Sequence, residues 1–414
     1  MNIGFIIRGY RKKLELTQDA LAHGICSVSH LSKIENGSKE VNHKTIDLLL
    51  LRLNLNYNKV LEERNQYLII IQQFYKNIIY QDLETVMNSL KDLQEKQEDI
   101  SLYGLKNYLE LIFFRYYIFR EDKKKMQEYK KQLTQKAHKF SQQETLLFTY
   151  FNAVYLILER KLKDAVVLLT ELKDKEQDFE HFGDFYYHFS LVMSMVKNPG
   201  AAIFYGIKAL EHFQVHNNFT RKLHIQMNLA ICYQRIGANT ESQYFYELLL
   251  NNATRNGDSK TIAEITHNLS ILKKSQDQHE EAIELLQKSI DASKLAGISH
   301  LTTLAQLVET YIEKGENEQA LTLIPEVLLL SKKEQHTAKE IKYRYKEEFL
   351  RLPIQKFAEK HRNFKKLEQH HFYDDIITYC SALVEYYDRK QDLRNKILYL
   401  EISNNALKSK LSGG

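Results

Sequence analysis

Residues 17–37, TQDALAHGICSVSHLSKIENG, predict two short helices joined by a tight turn. Thr17 and Ser27 each precede an apolar-periodic segment, and their hydroxyls can accept a hydrogen bond from a free amide of the first turn. Gly24 ends the first helix, because glycine adopts the left-handed conformation at little cost. An Asn-Gly pair ends the second helix. The spacing therefore predicts a helix-turn-helix.

The second of these helices has an apolar face and a polar one. Leu31 and Ile34 lie three residues apart and are predicted to face inward. Ser29, His30 and Lys33 lie on other faces, where they can meet a base edge or a phosphate. The alternative interpretation is a helix-turn-helix fold that binds no DNA.

Residues 3–53 resemble DNA-binding domains of the Cro/repressor type, and the resemblance implies a five-helix domain over this span. Those domains place a Gln at the start of the second helix, like Gln18, and end the recognition helix with Glu-Asn-Gly. They often pair that Glu with a first-helix Arg, so the resemblance implies an internal ion pair between Arg11 and Glu35. The resemblance also implies these DNA-binding residues: Gln18 and Asn36 at phosphates, Val28, Ser29, His30 and Lys33 in the major groove, and Lys39.

The composition favours long helices and a basic N-terminal segment. Only three of 414 residues are proline, which breaks helices, and there is no Trp. Residues 1–60 contain nine Lys/Arg and five Asp/Glu, and so carry +4 of the net charge of +5. The positive excess therefore lies on the segment that resembles a DNA binder.

Other classes of protein are not supported. The three cysteines are widely spaced, as expected for reduced residues of a cytosolic protein. No apolar run is long enough for a membrane span, and no signal peptide opens the chain. Phosphate-binding, dinucleotide-binding and nucleophile motifs are absent, as are metal-ligand spacings. We expect a cytoplasmic, non-enzymatic protein without metal or cofactor.

Beyond residue 60, helical units recur about every forty residues. The clearest unit is 301–330, with an apolar helix, a Gly-Glu-Asn turn and a second helix with Ala320 at its close-packing position. This layout resembles a tetratricopeptide repeat, two antiparallel helices with a small residue where they cross. The units at 266–290 and 227–250 fit the same template, and weaker copies precede them.

Polar side chains recur at one position of these units. When the units are aligned on the turn, this position is occupied by Asn152, His188, Asn228, Asn268 and Gln306, spaced by 36, 40, 40 and 38 residues. Two further steps back give Ile112 and Gln72, so the period is predicted to cover about residues 67–330. We call the five polar residues the ladder.

The ladder suggests a peptide site. Asn and Gln offer donors and an acceptor that match an extended peptide backbone, and first helices line the concave face of stacked pairs. The alternative is hydrogen bonding between repeats, since Asn is common at this position in tetratricopeptide repeats. Arg115, on an otherwise apolar helix, is predicted either to meet a peptide carboxylate or to be a surface arginine.

The complete architecture resembles the RRNPP peptide-pheromone receptors of low-GC Gram-positive bacteria, in particular their NprR-like members. The expected fold is all-α: a helix-turn-helix domain with linker at 1–66, then a right-handed superhelical array of tetratricopeptide-like helix pairs at 67–414. The resemblance implies a cytoplasmic regulator of operator DNA, switched by a short signalling oligopeptide. It also implies a homodimer or tetramer, and NprR-like proteins bind a phosphorelay response regulator when peptide-free.

Two other functions remain open. The chain could be an interaction scaffold or phosphorelay inhibitor with a secondary DNA-binding role, which salt-dependent binding to a palindromic duplex would test. It could also be a phage repressor without a peptide ligand. The sequence does not specify the peptide, the operator, or activation as against repression.

Overall fold

The computed structural model describes residues 3–37, 42–173, 175 and 182–412. Every regular element in these ranges is a helix, and the predicted all-α fold is confirmed. The chain divides into two compact units, Met1–Ser242 and Gln243–Gly414, which we call unit 1 and unit 2.

Unit 1 begins with four short helices: α1 (Ile3–Lys13), α2 (Gln18–Ala22), α3 (Val28–Glu35) and α4 (His43–Arg52). Both predicted caps form, since Thr17 Oγ1 accepts the Ala20 amide at 3.1 Å and Ser27 Oγ accepts the His30 amide at 3.2 Å. These helices close over a buried apolar core that includes Ile6, Ile7, Leu21, Leu31, Ile34, Leu49 and Leu50.

The fifth helix lies outside the predicted span. Residues 3–53 hold four helices instead of five, because Asn54 adopts a left-handed backbone and α5 (Tyr57–Tyr80) begins only after it. The Asn56 side chain caps α5 by accepting the amides of residues 58 and 59. α5 is continuous through residue 66, where the domain boundary was predicted, and that boundary stays a prediction.

The helices that follow form pairs, of which α5 with α6 (Leu83–Glu95) is the first, and α7 (Gln97–Leu102) lies between this pair and the next. The others of unit 1 are α8 (Lys106–Phe119), α9 (Lys123–Lys136), α10 (Gln142–Leu158), α11 (Leu162–Leu172), α12 (Phe182–Met195), α13 (Pro199–Val215) and α14 (Phe219–Arg235). α15 (Asn239–Arg255) begins at the end of unit 1 and continues into unit 2. Unit 2 then contains α16 (Ser259–Ser275), α17 (His279–Leu295), α18 (Leu301–Lys314), α19 (Asn317–Lys333), α20 (Thr337–Arg351), α21 (Ile354–Lys360), α22 (Lys365–Gln369), α23 (Tyr373–Arg389) and α24 (Leu393–Ser412).

A residue with a left-handed backbone marks the turn inside each helix pair of the predicted period. These residues are Gln81, Glu121, Arg160, Lys197, Gly237, Asp277 and Gly315, spaced 37 to 40 residues apart. The backbone therefore repeats with the period read from the sequence, including the two units that the sequence marks only weakly.

Candidate functional site

The helix-turn-helix presents one side of α3 to solvent. Val28, Ser29 and Lys33 are exposed and His30 is half-buried, whereas Leu31 on the opposite face is fully buried. The predicted base-facing side chains thus share an accessible surface, and the predicted core side chains hold it in place.

An ion pair fixes the end of this helix. Arg11 donates to Glu35 from Nε at 2.6 Å and from Nη2 at 2.8 Å, so the ion pair implied by the resemblance is present and has two-point geometry. Gln18 Nε2 donates to the same carboxylate at 2.9 Å, and Glu35 is buried. Burial opposes ionisation, but the hydrogen bonds from Arg11 and Gln18 hold the pKa of Glu35 below its usual value.

The two residues predicted to contact phosphates, Gln18 and Asn36, lie at the two ends of this motif. Gln18 uses one amide N–H for Glu35 and keeps a second, while Asn36 is exposed and accepts a hydrogen bond from Arg8 Nη1 at 3.2 Å. Lys39 lies outside the residues that the structure describes.

The ladder residues all lie on the first helix of a pair. Asn152, His188 and Asn228 are in unit 1, on α10, α12 and α14; Asn268 and Gln306 are in unit 2, on α16 and α18. Asn152, Asn268 and Gln306 are half-buried, while His188 and Asn228 are buried. One sequence register therefore contains two kinds of environment.

Asn228 bonds to the preceding repeat. Its Nδ2 donates to Ser190 Oγ at 2.8 Å, and that hydroxyl donates to the Ala202 carbonyl at 2.6 Å. The close approach depends on Gly206 in α13, because a Cβ there would lie 2.7 Å from Leu229 Cδ2. The amide nitrogen of Asn228 thus serves inter-repeat bonding, the alternative left open by the sequence.

A cluster of buried charges lies in unit 1 beside these rungs. Asp184 on α12 contacts two guanidinium groups: Oδ2 lies 3.2 Å from Arg115 Nη2, and Oδ1 lies 3.0 Å from Arg221 Nη2. Tyr150 donates its hydroxyl to Asp184 Oδ2 at 2.8 Å. Burial opposes the charge of Asp184, but Arg221 and Arg115 hold its pKa well below the usual value.

The hydrogen bonds of His188 indicate which of its ring nitrogens carries the proton within this Asp184 cluster. Nδ1 lies 2.8 Å from the Tyr150 hydroxyl and 2.8 Å from the Asp184 carbonyl. Because Tyr150 gives its only proton to the carboxylate, Nδ1 of His188 must be the donor in both contacts. Burial lowers the pKa of His188 to about 3, so the ring is neutral at pH 7 and the cluster carries one excess positive charge.

Comparison with known proteins covers both parts of the chain. Residues 7–59 match a helix-turn-helix family, and residues 221–294 match the tetratricopeptide repeat. Transcriptional activator NprA of Geobacillus stearothermophilus is 24% identical over 411 residues, covering 95% of this chain and all of the relative.

Two solved structures share the fold. The apo form of the quorum sensor NprR from B. thuringiensis has a TM-score of 0.70 at 20% identity, covering 83% of this chain and 99% of that chain. NprR in complex with its cognate peptide NprX has a TM-score of 0.57 at 23% identity, covering 83% of this chain and 98% of that chain. In domain order, sequence and fold, the chain is thus similar to NprR-like members of the RRNPP group. Its curated relative is a transcriptional activator, in agreement with the expectation that the chain is not an enzyme.

Two of the predicted peptide contacts need correction. Arg115 is only 2% exposed and pairs with Asp184, so it is neither an accessible partner for a peptide carboxylate nor a surface arginine. His188 is 6% exposed, and its Nδ1 is used inside the Asp184 cluster. Both residues are assigned structural roles because an incoming peptide cannot reach the bonded groups without breaking the cluster.

Sequence reasoning missed Asp184, Arg221 and Tyr150. A usable signal was present, because Asp184 is the single acidic residue of the apolar segment FGDFYYHFSLVMSM (182–195), as Arg115 is the single basic residue of LELIFFRYYIF (109–119). Opposite charges isolated on two apolar helices predict a buried pair, since an unpaired buried charge is too costly.

In the described ranges, no helix has both the length and the apolar character to cross a bilayer. Within the same residues, no three His, Cys, Asp or Glu side chains are grouped as metal ligands would be.

Proposed function

We propose that this chain is a cytoplasmic, peptide-responsive transcription regulator, in which the helix-turn-helix binds operator DNA and the repeats hold a short signalling peptide. The observation that carries the proposal is the full-length match to a transcriptional activator, which extends over the exposed recognition helix and the ladder alike. The peptide half is supported by the likeness in fold to a quorum sensor solved with its peptide.

The DNA half rests on the accessible side of α3. Helix-turn-helix proteins usually bind as dimers to half-sites about one turn apart, so we propose that a homodimer reads a palindromic operator. Lys33 supplies positive charge to this surface, and His30 and Ser29 supply hydrogen-bonding groups at its centre.

Duplex binding by the full-length protein tests this half. Affinity for a palindromic operator, selected from random duplexes, should fall steeply with salt concentration. Lys33→Ala should weaken binding and reduce the salt dependence by about one phosphate contact for each copy. His30→Ala should weaken binding with little change in that slope.

Lys356→Ala is the matched control, because Lys356 is also exposed but lies on α21 of unit 2. Salt-dependent binding that ignores both α3 variants would place the DNA-binding surface elsewhere. Failure to bind any duplex would favour the interaction scaffold or phosphorelay inhibitor over the regulator.

The peptide half rests on the half-buried amides. Asn152 Oδ1 is buried and has no hydrogen-bond donor among the described residues, so it suits the N–H of an extended peptide. Asn268 and Gln306 occupy the same register position in unit 2, with side chains that are also half-buried. These three residues are the candidates that the burial pattern leaves for direct contact.

Calorimetric titration with short peptides encoded next to the gene tests this half. Asn152→Ala and Asn268→Ala should each weaken binding by about 5- to 150-fold, corresponding to about 1–3 kcal/mol for a buried hydrogen bond. DNA binding by the peptide-free protein should not change. Asn251→Ala, an exposed amide on α15, is the control.

Wild-type peptide affinity in both variants would mean that the ladder is an inter-repeat feature throughout, as it already is at Asn228. If the protein bound its operator but none of these peptides, the third possibility, a repressor without a peptide ligand, would be favoured.

A further inference from the structure

The chain passes from the helix-turn-helix to the repeats through α5, and the middle of this helix is not buried. Val60 belongs to the core of the N-terminal helices, and Ile71 is the next buried residue of α5. None of residues 61–70, all of which the structure describes, is buried. We call this stretch the bridge. A helical spacer is only semi-rigid, so the bridge alone does not fix the orientation of the helix-turn-helix.

α7 makes a second connection between the same two parts of unit 1. It contacts α1 of the helix-turn-helix and also contacts α6 and α8. Only residues 103–105 separate α7 from α8, so the position of α7 follows that of the repeats. We call α7 together with Tyr103 the brace.

Tyr103 inserts into the core of the helix-turn-helix, where it is only 4% exposed. Its ring centroid lies 6.0 Å from that of Tyr10 on α1 and 5.3 Å from that of Tyr67 on the bridge. Its hydroxyl donates to the carboxylate of Glu63, also on the bridge, and lies 2.7 Å from the Tyr10 hydroxyl. Because Tyr103 gives its only proton to Glu63, Tyr10 is the donor in the second contact. This chain of hydrogen bonds joins the helix-turn-helix, the brace and the bridge.

α1 packs closely on the brace because residue 9 is a glycine. A Cβ at Gly9 would lie only 3.3 Å from the carbonyl oxygen of Leu102. That oxygen belongs to the backbone and cannot rotate away as the end of a side chain can. One turn further along α1, Lys13 Nζ lies 3.4 Å from Asp99 Oδ1 of α7. The contact between α1 and α7 therefore extends over at least one helical turn.

We infer that the brace holds the helix-turn-helix in one orientation on the repeats, and thereby makes the spacing between operator half-sites a determinant of specificity. The second part rests on the proposed function, in which two copies read a palindrome. Each base pair inserted between half-sites rotates one relative to the other by about 35° and moves it by about 3.4 Å. Two helix-turn-helices held in fixed orientations cannot follow this change, whereas two that swivel on the bridge can.

A distance measurement by pulsed electron paramagnetic resonance, on full-length protein without DNA, tests the orientation. In a Cys26→Ser background, Asp19→Cys on α2 and Lys131→Cys on α9 place spin labels at two exposed positions. Cys232 and Cys380 are buried and stay unlabelled. Dilution with an excess of unlabelled chains restricts the signal to distances within one chain. The protein with its native brace should give one narrow distance distribution, and a broad one would overturn the inference.

Gly9→Gln should separate α1 from the brace and broaden this distribution. The substitution favours the helical state of α1, because Gln is a better helix former than Gly, but its side chain meets the Leu102 backbone. Gly200→Gln is the matched control, since Gly200 is also helical, on α13, and a Cβ there meets nothing within 4 Å. A distribution as narrow in Gly9→Gln as in the control would overturn the inference.

Hydrogen exchange of the α3 amides shows whether the helix-turn-helix of Gly9→Gln is still folded. If it is not, Tyr103→Phe replaces that variant, because it keeps the ring and removes only the hydroxyl that bonds to Tyr10 and Glu63. A broader distribution in Tyr103→Phe would support the brace, and an unchanged one would overturn it.

The affinity for operators of altered spacing tests the effect on specificity. Two base pairs inserted between the half-sites should weaken wild-type binding by about 100-fold or more, because the two half-sites can no longer be engaged together and avidity is lost. The same insertion should weaken binding by Gly9→Gln less than about 10-fold, since the released helix-turn-helix can follow the rotated half-site. Gly200→Gln should behave like the wild type. Equal losses in Gly9→Gln and the wild type would overturn the role of the brace in specificity.

The two experiments separate the brace from the proposed function. A narrow distribution that broadens in Gly9→Gln, in a protein that binds no duplex, would retain the fixed orientation and remove the proposed function. A broad wild-type distribution in a protein that binds its operator would remove the brace and leave the proposed function intact.

Discussion

Each unit of this protein buries a cluster of charged side chains, and the two clusters differ in balance. In unit 1, Asp184 alone faces Arg115 and Arg221, and all three are almost fully buried. In unit 2, two carboxylates face two ammonium groups at 2.7 to 3.4 Å: Glu309 and Asp375 with Lys342 and Lys346. The first cluster has one excess positive charge, and the second is neutral.

The difference in charge balance determines how well each cluster tolerates the loss of one charged side chain. The unit 2 cluster remains partly accessible, and each ion has two partners, so water and the remaining partner can compensate for a lost group. In unit 1 a single carboxylate is shared by two guanidinium groups that are almost fully buried. We therefore expect the stability of unit 1 to depend on one side chain, and that of unit 2 on none in particular.

The largest expected effect is that of Asp184→Asn. It leaves Arg115 and Arg221 buried without a counter-charge, and breaking a buried pair in this way costs about 5 kcal/mol at the upper end of the usual range. Urea denaturation should reveal this loss, and hydrogen exchange should locate it in α8, α12 and α14. Asp374→Asn, at an exposed aspartate of unit 2, is the control. Similar stability of the two variants would show that the unit 1 cluster is not essential.

The stability cost of breaking the pair between Arg11 and Glu35 should lie between the costs expected for the two clusters. It is balanced, like the unit 2 cluster, but Glu35 is almost fully buried, with Arg11 and Gln18 as its partners. Arg11→Ala should cost about 3 kcal/mol, at the lower end for a broken buried pair. Exchange of the α3 amides should accelerate and operator affinity should fall with it. Protected α3 amides in the variant would contradict the importance of the pair.

The unit 1 cluster should also be sensitive to acid through His188. Burial lowers its pKa to about 3, whereas an unfolded histidine titrates near 6.5, so below that pH the unfolded chain gains a proton that the folded chain excludes. The free energy of unfolding should therefore fall as pH drops from about 6.5, with a loss of about 2 kcal/mol at pH 5.

The difference between wild type and His188→Gln isolates this contribution, because the other histidines remain in both proteins. His224 is one of them, and partial desolvation of its ring, together with the charge of Arg221, lowers its pKa to about 4. Stability curves that stay parallel between pH 7 and pH 5 would mean that the ring takes up a proton in the folded state, and that the cluster is less closed than its geometry indicates.

Much of the fold could be predicted because it depends on local rules. Three features can be read along the chain without knowing which distant residues meet: the caps at Thr17 and Ser27, a period of about forty residues, and the near-absence of proline. Each has its expected counterpart in the structure. The start of the fifth helix was missed because a left-handed asparagine at residue 54 is not distinguishable from a helical one by pattern alone.

The site was predicted less well, because environment is not a local property. A shared register placed all five ladder residues on first helices, but it could not tell a half-buried Asn152 from a buried His188. That difference arises from Asp184 and Tyr150, which are distant in sequence from each other and contact the same ring. The Arg11–Glu35 pair could be predicted only because the resemblance to Cro/repressor domains indicated which two residues pair.

The smallest expected effect is that of Lys342→Gln in the balanced cluster of unit 2. Lys342 is about one-fifth exposed and contacts Glu309 and Asp375, but Lys346 contacts the same two carboxylates at 2.9 and 2.7 Å. The glutamine can still donate hydrogen bonds, so the cost should be between about 0 and 1 kcal/mol, as for partly exposed pairs.

Lys346→Gln should cost more, because its ammonium is less exposed and its contact with Asp375 is shorter. Adding Lys346→Gln to Lys342→Gln leaves both carboxylates uncompensated, so the double variant should lose more than the sum of the singles. Strict additivity in urea denaturation would show that the two lysines do not substitute for each other, and that balance does not protect unit 2.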